Sequence, residues 1–416
     1  MSPQTNGLDT PNGAPSDGVQ KIPPHKLAET LEAINAESFT DEEDRIRTLF
    51  ATYALVARLE TPWEFIARFC MSQVTSDFST LHPSLGLKLN KNLQLFEKWH
   101  DRGDGELSSK ELAEMVSCDP ALLVRLLRHL AANHLLEETS IGIFKPTKFS
   151  LAFLQPVFGE WINHLYDASI PIFYKTPEYL AKTGYKNPLD PTDGIFQYTK
   201  GWKGDLFQYY DAHPREGDSF NQVMGGVMAH QAGWLEIFPH DTLLKTSDPN
   251  LPLVVDVGGN IGHDIERFRQ AHPETAARLY LEDRPAVIKL SKCPDPVNKI
   301  GYDFFTPQPI KGARVYYLHG VLHDWSDEPA CKILTMQRAA MTPGYSTLLI
   351  HDHIVTEALA HPHATGYDLT MMAMVAGEER TESHWRELLK SVGFEVVKIW
   401  RSPVAVQGII EAEIRN

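Results

Sequence analysis

After Pro252 the chain alternates between short runs of β-branched and other apolar residues and stretches with helical periodicity. The runs that predict strands cover 253–257, 277–283, 313–320, 346–352, 393–400 and 404–414. Because helical stretches separate most of these runs, the sequence predicts an open parallel sheet with helices on both faces. Only a few residues around Ser402 and Pro403 separate the last two runs, which is too short for a parallel crossover. We therefore expect these two runs to form a hairpin that adds one antiparallel strand.

A glycine-rich turn follows the first of these runs, in the string VVDVGGNIGHD at 254–264. Gly258 and Gly259, with a third glycine at 262, permit positive φ and a close approach of a ligand to the backbone. Asp256 lies just before the turn. The next predicted strand ends in an acidic pair at 282–283, about twenty residues further on, where a carboxylate can accept hydrogen bonds from ribose hydroxyls. The pattern therefore predicts a nucleoside site at this edge of the sheet.

The spacing within the turn bears on which nucleoside binds there. A dinucleotide site usually has the pattern GxGxxG and holds a pyrophosphate at the N-terminus of a helix. Here Asn260 stands between Gly258 and Gly262, and Asp264 brings a negative charge to the place where a pyrophosphate would lie. S-adenosylmethionine (SAM) has a ribose, an ammonium and a sulfonium but no phosphate. The sequence therefore favours SAM as the cofactor.

Five strings together carry a family resemblance: DVGGNIG, LEDRPAVI, YDFF, LHGVLHDWSDEPACKIL and GEERTESHWRELLKSVGF. On these strings the chain resembles the small-molecule O-methyltransferases of plants and fungi, the caffeate and flavonoid type, over most of its length. The resemblance implies an α/β fold of the class I SAM-methyltransferase type over 247–416, with a Rossmann-like sheet that is parallel except for one antiparallel strand. It also implies an N-terminal helical, winged-helix domain through which two copies form a homodimer.

The functional positions of that family fall on matching residues of this chain. The resemblance implies that His323 is the catalytic base and that Asp352 and Glu379 are its flanking acids. The cofactor-binding candidates, from the matching motifs and the glycine turn, are Asp256, Gly258, Gly259, Asp283, Asp303, Phe304, His319 and Trp325. Two positions depart from the family pattern. Asn260 stands where the family has the third glycine of the turn, and His319 stands where plant members have a lysine.

Histidine suits the reaction that the resemblance implies. Methyl transfer from a sulfonium to an oxygen requires the acceptor hydroxyl to lose its proton while oxygen, carbon and sulfur are held nearly in line. The unperturbed pKa of histidine, about 6.5, lies near the working pH. A carboxylate on the other ring nitrogen would fix the tautomer and stabilise the imidazolium, and Asp352 and Glu379 are the candidates for that role. A histidine is more often a packing or surface residue, but His323 follows a strand and lies in a specific motif.

Residues 151–246 have a mostly helical pattern and are rich in aromatic side chains. Most of these aromatics are expected to pack in the core. A subset is expected to line an apolar pocket for the methyl acceptor, because such pockets are built from aromatic side chains and adaptable methionines. The substrate-binding candidates are Phe173, Met224, Met228, His230 and Met371.

The N-terminal part is predicted to contain a tail and a helical domain. Residues 1–24 are polar and rich in Pro, Gly, Ser and Asp, which predicts a disordered tail. Within 25–150, two short helices with Ser109 and Asp119 as expected caps precede a short β-wing, which is typical of a winged helix. The second of these helices is filled with leucines and has few basic residues. The pattern therefore favours a dimerisation domain over a DNA-binding domain.

Charge and composition bear on the remaining classes. The net charge of −15 disfavours phosphate backbones and anionic lipid surfaces, so neither nucleic acid nor a membrane is expected as a partner. The chain shows no signal-peptide pattern and no apolar run of about 18 residues, which predicts a cytoplasmic protein. The four cysteines are scattered, and the histidines at 351, 353, 361 and 363 match no zinc-ligand spacing. Neither a disulfide framework nor a metal is therefore expected.

Two alternatives to methyl transfer stay open at this level. Some fungal proteins that resemble this family catalyse dehydration or pericyclic ring formation, of Diels–Alder, hetero-Diels–Alder or Alder-ene type, and retain SAM without transferring its methyl group. His319 and Asn260 are compatible with such a reaction. The retention of His323, Asp352 and Glu379 favours methylation of an aromatic or polyketide-type secondary metabolite instead. The second alternative, a SAM-binding regulator that uses the winged helix on DNA, is disfavoured by the acidic net charge.

Overall fold

A computed structural model of the chain describes residues 24–59, 81–230, 233–360, 362–401 and 407–415. Residues 1–23 of the predicted disordered tail lie outside these ranges, and so does Cys70. The chain divides into two compact units, Met1–Leu59 and Glu60–Asn416. In the first unit the described elements are helix α1 (Pro24–Ala33), a 3₁₀ turn (Ala36–Ser38) and helix α2 (Glu42–Leu59).

The winged-helix pattern is present at the start of the second unit. Its elements are α3 (Leu81–Leu93), α4 (Leu95–His100), β1 (Leu107–Ser108), α5 (Ser109–Val116), α6 (Pro120–Ala132), β2 (Leu136–Ser140) and β3 (Ile143–Pro146). Strand β3 pairs antiparallel with both β1 and β2. Asp119 caps α6 as predicted. The prediction that Ser109 caps α5 is wrong, because Ser108 has the extended backbone of a cap and exchanges hydrogen bonds with Glu111 in a capping box.

Helices fill the chain between the wing and the large sheet, as the periodicity predicted. They are α7 (Lys148–Ala152), α8 (Pro156–His164), a π-helical turn (Leu165–Ser169), α9 (Ile170–Lys182), α10 (Ile195–Lys200), α11 (Leu206–Ala212), α12 (Pro214–His230), α13 (Trp234–Ile237) and α14 (Asp241–Thr246). Several aromatic side chains of this region, among them Phe196, Tyr209 and Tyr210, belong to one buried cluster. For these residues the expectation of core packing is confirmed.

A seven-stranded sheet with the order β6-β5-β4-β7-β8-β10-β9 forms the C-terminal part of the second unit. Its strands are β4 (Val254–Val257), β5 (Leu279–Asp283), β6 (Asn298–Gly301), β7 (Val315–His319), β8 (Thr347–His353), β9 (Phe394–Arg401) and β10 (Gln407–Ile414). Strands β4 to β8 pair in parallel, whereas β10 pairs antiparallel with both β8 and β9. The predicted fold class and the terminal hairpin are therefore confirmed. Strand β6 was not predicted, because its sequence Asn-Lys-Ile-Gly has a single apolar side chain and lies at the edge of the sheet.

Helices and short turns connect these strands. They are α15 (His263–Ala271), a 3₁₀ turn (Pro273–Arg278), α16 (Pro285–Ile288), a second 3₁₀ turn (Leu322–Asp324), α17 (Asp327–Arg338), α18 (Pro362–Val375) and α19 (Glu382–Ser391). None of the described helices is both long and apolar enough to cross a lipid bilayer.

The central strands are buried on both faces, which explains their nearly continuous apolar sequences. Val255 and Ile350 belong to the hydrophobic cluster on one face, and Val254 and Leu349 belong to the cluster on the other. Because β4, β5, β7 and β8 run in parallel, their carboxyl ends meet at one edge of the sheet. That edge is where an open α/β sheet places its ligand site.

Candidate active site

The turn after β4 has the backbone conformation that its glycines predicted. Gly258 and Gly262 have φ of 73° and 99°, in the left-handed region. A Cβ atom on Gly258 would also lie 2.8 Å from Cγ2 of Val321. Asn260 has φ of 54°, which asparagine tolerates better than most residues, and its side-chain oxygen accepts a hydrogen bond from the amide of Ile261. The departure from the family pattern at Asn260 therefore leaves the turn intact.

Two acidic residues flank this turn. Asp283, at the end of β5, accepts hydrogen bonds from the amides of Asn260 at 2.8 Å and Arg284 at 2.7 Å. Burial raises the pKa of Asp283, and these two amides oppose the rise. Asp256 is fully buried against the turn. Burial, followed by the negative charges of Asp264 and Asp283, raises the pKa of Asp256 well above its usual value.

His323 lies in the 3₁₀ turn after β7, and its side chain is largely buried. Its Nδ1 atom is 2.8 Å from Oε1 of Glu379, which lies in the loop between α18 and α19. Its Nε2 atom lies 3.6 Å from Oδ1 of Asp324. Because an ionised carboxylate can only accept a hydrogen bond, Nδ1 carries the hydrogen, and Nε2 is the basic atom of the neutral ring. The fold thus brings together two predicted catalytic residues that are 56 positions apart in the chain.

The loop that carries Glu379 packs against the backbone of the turn that carries His323. The amide of Glu378 donates a hydrogen bond to the carbonyl oxygen of His323 at 2.9 Å. A Cβ atom on Gly377 would lie 2.1 Å from the same oxygen, so only glycine allows this approach. The position of Glu379 relative to the imidazole is therefore set by backbone contacts as well as by the hydrogen bond between the side chains.

Acidic groups dominate the electrostatics around His323. Burial lowers the pKa of His323, but the charges of Glu379 and Asp324 outweigh burial and raise it to about 10. Burial raises the pKa of Glu379, but the charge and hydrogen bond of His323 outweigh it, and the net effect is to lower the pKa of Glu379. Burial also raises the pKa of Asp324 and of Asp352 to about 6. By itself this cluster keeps the imidazole protonated at neutral pH.

Asp352 and Glu379, the two predicted flanking acids, occupy different environments. Asp352 lies on β8, fully buried, and neither of its carboxylate oxygens makes a hydrogen bond. It influences His323 through its charge. Glu379 instead accepts a second hydrogen bond on Oε1, from Nδ1 of His353 at 3.0 Å. The ring of His353 packs against that of Tyr367, with centroids 4.6 Å apart. One carboxylate oxygen is therefore shared by two imidazoles.

The predicted cofactor-binding residues Trp325 and Phe304 come together after β7 and β6. Their rings are edge to face, with centroids 6.0 Å apart. Phe305 and Phe207 extend this cluster, with centroids 4.8 Å and 6.4 Å from that of Trp325. The side chain of Asp303 is at the surface, and its Oδ1 atom accepts a hydrogen bond from the amide of Phe305 at 3.0 Å. An aromatic wall therefore begins two residues after the candidate base.

His319, another cofactor-binding candidate, lies at the end of β7 in a buried polar chain. Its Nδ1 atom is 2.6 Å from Oδ2 of Asp264, and its Nε2 atom is 3.3 Å from Oε1 of Gln407. Its ring stacks on His351 at 3.9 Å, and Nδ1 of His351 is 2.8 Å from the hydroxyl of Tyr317. Burial raises the pKa of Asp264, but the charge and hydrogen bond of His319, together with the charge of Arg267, outweigh burial and lower it. Both ring nitrogens of His319 thus have protein partners, and its contact with a cofactor stays a prediction.

The acceptor-binding candidates are placed only in part. Phe173 on α9 and Met371 on α18 pack against the same buried cluster. Met224 on α12 is half-buried. The side chains of Met228 and His230 lie outside the described part of the chain. The structure therefore brings two of the five candidates together, and their contact with an acceptor stays a prediction.

Sequence analysis missed Arg380, as well as Asp324 and His353, among the residues around His323. Arg380 is fully buried, and its guanidinium donates hydrogen bonds to the carbonyl oxygens of Leu322 at 3.0 Å and Trp325 at 2.7 Å. These two carbonyls flank His323 on either side in the chain. The only sequence signal was the position of Arg380 directly after Glu379 in the string GEERT.

Comparison with known families and relatives identifies the proteins that this chain is similar to. The O-methyltransferase domain model matches residues 186–395, and the O-methyltransferase dimerisation domain model matches residues 83–156. The chain is 66% identical over 416 residues to O-methyltransferase mfmE of Annulohypoxylon moriforme, with 100% of both chains covered. It is 33% identical over 398 residues to Methyltransferase cfoC of Aspergillus candidus, with 92% of this chain and 95% of that protein covered.

Solved structures with the same fold include LepI and OxaC. The structure of LepI in complex with SAM has a TM-score of 0.83 and 24% identity, and covers 94% of this chain and 98% of that chain. OxaC in complex with SAH and oxaline has a TM-score of 0.79 and 23% identity, and covers 94% of this chain and 97% of that chain. At this level of identity the likeness shows the fold.

Proposed function

This chain belongs to the O-methyltransferase family, and we propose that it methylates a hydroxyl group of an aromatic or polyketide-type secondary metabolite, with His323 as the general base. The chain is a SAM-dependent enzyme. The observation that carries the proposed role of His323 is the hydrogen bond from its Nδ1 atom to Glu379. This bond leaves Nε2 as the ring nitrogen that can take a proton from an acceptor.

The residues around the glycine turn fit SAM. When bound, SAM supplies an electrophilic methyl group on a positively charged sulfur. Asp283 is held beside the turn by two backbone amides, and we propose that its carboxylate binds the ribose hydroxyls. We propose that Asp256, which is fully buried against the turn, forms part of the same site. The other proposed contacts are Gly258, Gly259, Asp303, Phe304, His319 and Trp325.

His323 moves the proton in this proposal. Nε2 accepts the proton of the acceptor hydroxyl, which makes the oxygen nucleophilic, and Glu379 stabilises the resulting imidazolium. Binding of a positive charge near the same carboxylates opposes their effect and lowers the pKa of His323. The fraction of His323 that is neutral, and so able to accept a proton, increases as a result. We propose that Asp352 contributes to this balance through its negative charge.

We infer the chemical class of the acceptor from the aromatic and apolar side chains near the base. Trp325 and Phe207 form part of a wall beside the turn that carries His323. Phe173 and Met371 pack against a second apolar cluster, and we propose that they line the acceptor pocket together with Met224, Met228 and His230. A flat, hydroxylated aromatic molecule suits such surroundings.

We also propose that three segments of the chain have different roles. Residues 25–150 form the homodimer, 151–246 line the acceptor pocket and 247–416 bind SAM. The match of the dimerisation domain model to residues 83–156 supports the first of these assignments. A cytoplasmic location stays a prediction.

The test is to incubate the purified protein with SAM and a panel of phenols and hydroxylated polyketides. We expect release of S-adenosylhomocysteine together with a methyl ether of at least one panel member. His323→Ala is expected to abolish methylation while the affinity for SAM, measured by equilibrium dialysis, stays within about threefold.

Three outcomes would contradict the proposal. An isomerised or dehydrated product with SAM unconsumed would assign the site to pericyclic or dehydration chemistry. Methylation by His323→Ala at a rate comparable to that of the wild type would show that His323 is not the base. A panel without any methylated member would count against the acceptor class.

A further inference from the structure

Two histidines and an aspartate converge at the end of α15 that is remote from the glycine turn. His272 directly follows α15, whereas His240 and Asp241 lie at the start of α14. Helix α15 has nine residues, so this cluster lies about 14 Å along the helix from the turn. It is separate from His323 and from every residue to which the proposed methyl transfer assigns a role.

The three candidate ligand atoms of the cluster are close enough to share one small divalent ion. Nδ1 of His240 is 2.8 Å from Nε2 of His272. Oδ1 of Asp241 lies 3.7 Å from the first of these atoms and 3.8 Å from the second. A circle through three points with these separations has a radius of about 2.0 Å, which is the usual length of zinc–nitrogen and zinc–oxygen bonds. An ion near the plane of the three atoms would therefore be at bonding distance from all of them, and a tetrahedral arrangement needs the two nitrogens to move apart by a few tenths of an ångström.

The two imidazoles are held in place by their surroundings. Phe268 is fully buried, and its ring centroid lies 4.8 Å from that of His272 and 6.2 Å from that of His240. The amide of His272 donates to the carbonyl of Phe268 at 2.9 Å, and the amide of His240 donates to that of Phe238 at 2.7 Å. The side chain of Asp241 is 72% exposed, so an ion has access from solvent. The two histidines are thus packed against the protein, whereas the carboxylate faces solvent.

A plain hydrogen bond between two histidines is the competing explanation. A single hydrogen between Nδ1 and Nε2 accounts for the 2.8 Å contact. It does not account for the convergence of Asp241 on both nitrogens.

The described part of the chain contains two other groups with similar spacing. One is His323, His353 and Glu379 of the active site. The other is formed by Asp327, Glu378 and His384. There the buried guanidinium of Arg380 lies 3.0 Å from Asp327, and its positive charge opposes a second cation. The cluster of His240, Asp241 and His272 has no such guanidinium among its described contacts.

We propose that His240, Asp241 and His272 form a binding site for one divalent ion of the zinc type, with a water molecule as the fourth ligand. Two nitrogens and one oxygen are a donor set that Zn²⁺ accepts, and three protein ligands with water are a common arrangement. The bound ion ties the end of α15 to the start of α14, so its effect is to stabilise the fold. The expectation from sequence that the chain holds no metal weighed only the histidines at 351, 353, 361 and 363.

The experiment uses full-length protein without an affinity tag, stripped with EDTA and titrated with Zn²⁺ by calorimetry. The variants are His240→Gln and His272→Gln. The matched control is His100→Gln, because His100 pairs with Asp104 at 2.8 Å without a second histidine. We expect the wild type and the control to bind one equivalent of Zn²⁺ per chain. Both test variants should lose this binding, or bind Zn²⁺ at least roughly tenfold more weakly. Zn²⁺ should raise the melting temperature of the wild type and the control only.

Two results would overturn the proposal. One is Zn²⁺ binding by His272→Gln with the stoichiometry and affinity of the wild type. The other is one equivalent of bound Zn²⁺ that His353→Asn loses and His272→Gln retains. That result would place the ion in the active site. Circular dichroism and SAM affinity establish that each variant is folded. Because the readout needs no methyl acceptor, its failure is distinguishable from a failure of the proposed function.

Discussion

His323 and Glu379 link the two loops of the candidate site through their side chains, with Nδ1 of the imidazole 2.8 Å from Oε1 of the carboxylate. The contact selects the tautomer with the hydrogen on Nδ1, and it raises the pKa of His323 while it lowers that of Glu379. A base with a raised pKa gives a rate that increases with pH, because only the neutral ring accepts a proton. The pH dependence of methylation therefore reports on this contact.

Glu379→Gln is expected to move the rising limb of the pH–rate profile to lower pH. Removal of the carboxylate removes the largest charge that raises the pKa of His323. The maximal rate should fall by roughly a hundredfold or more, because the imidazolium loses its partner and the tautomer is no longer fixed. Glu378→Gln is the matched control, since the Glu378 carboxylate contacts Arg380 at 3.3 Å. An unshifted limb in Glu379→Gln would contradict the assignment of His323 as the base.

A pair of substitutions at His353 tests the shared oxygen of Glu379. The amide nitrogen of asparagine can replace Nδ1 of a histidine as a donor, whereas that of glutamine replaces Nε2. His353→Asn is therefore expected to keep the rate within about threefold of the wild type. His353→Gln frees Oε1 to bind His323 more strongly, which raises the pKa of His323 and moves the pH–rate limb to higher pH. Identical profiles for the two variants would show that His353 only fills space.

How far the sequence predicted this site depends on how local each feature is. The glycine turn after β4 and the carboxylate of Asp283 follow from a pattern within about thirty residues, as in any βαβ unit. The pairing of His323 with Glu379 came from motifs of a family, since no local pattern relates residues 56 positions apart. The donation of His353 to the same carboxylate oxygen depends on how α18 and its loop pack on β8. That packing is tertiary and leaves no periodic signal.

Glu282 is expected to make stability depend on pH. Burial raises its pKa to about 7, against a hydrogen bond from Gln308 that lowers it. The folded state therefore holds a proton that the unfolded state releases above pH 4.5, so the free energy of unfolding falls as the pH rises from 4.5 to about 7. Glu282→Gln should remove this decline and stabilise the protein at pH 8 by about 1–3 kcal/mol. Thermal unfolding between pH 5 and pH 9 measures it.

The control for this prediction is Glu274→Gln, because the side chain of Glu274 is exposed. It should leave the dependence of the melting temperature on pH unchanged. A melting temperature of Glu282→Gln that falls between pH 5 and pH 7 as steeply as that of the wild type would show that Glu282 is not the titrating group.

Arg380 is expected to position the base without touching a substrate. Its guanidinium holds the carbonyls of Leu322 and Trp325, on either side of His323, and also pairs with Asp327 at 3.0 Å. Arg380→Met leaves two buried carbonyls without donors. The free energy of unfolding of the variant should be lower by about 2–4 kcal/mol. The lost ion pair with Asp327 contributes little to this figure, because Asp327 is half exposed. Denaturant titration measures this loss.

Arg380→Lys separates positioning from folding, because it keeps the charge but replaces the two separate nitrogens that hold the two carbonyls with a single nitrogen. We expect kcat to fall by roughly tenfold, since a small misplacement of His323 misaligns the base with the acceptor hydroxyl. The affinity for SAM and the pH of the rate limb should stay close to those of the wild type, because the acidic groups around the imidazole are unchanged. Arg386→Lys is the control, since Arg386 lies on the surface of α19 and pairs with Glu382 at 2.9 Å. If Arg380→Lys retained the kcat of the wild type, the guanidinium would be a packing group only, and the placement of His323 would depend on the loop at 377–379 alone.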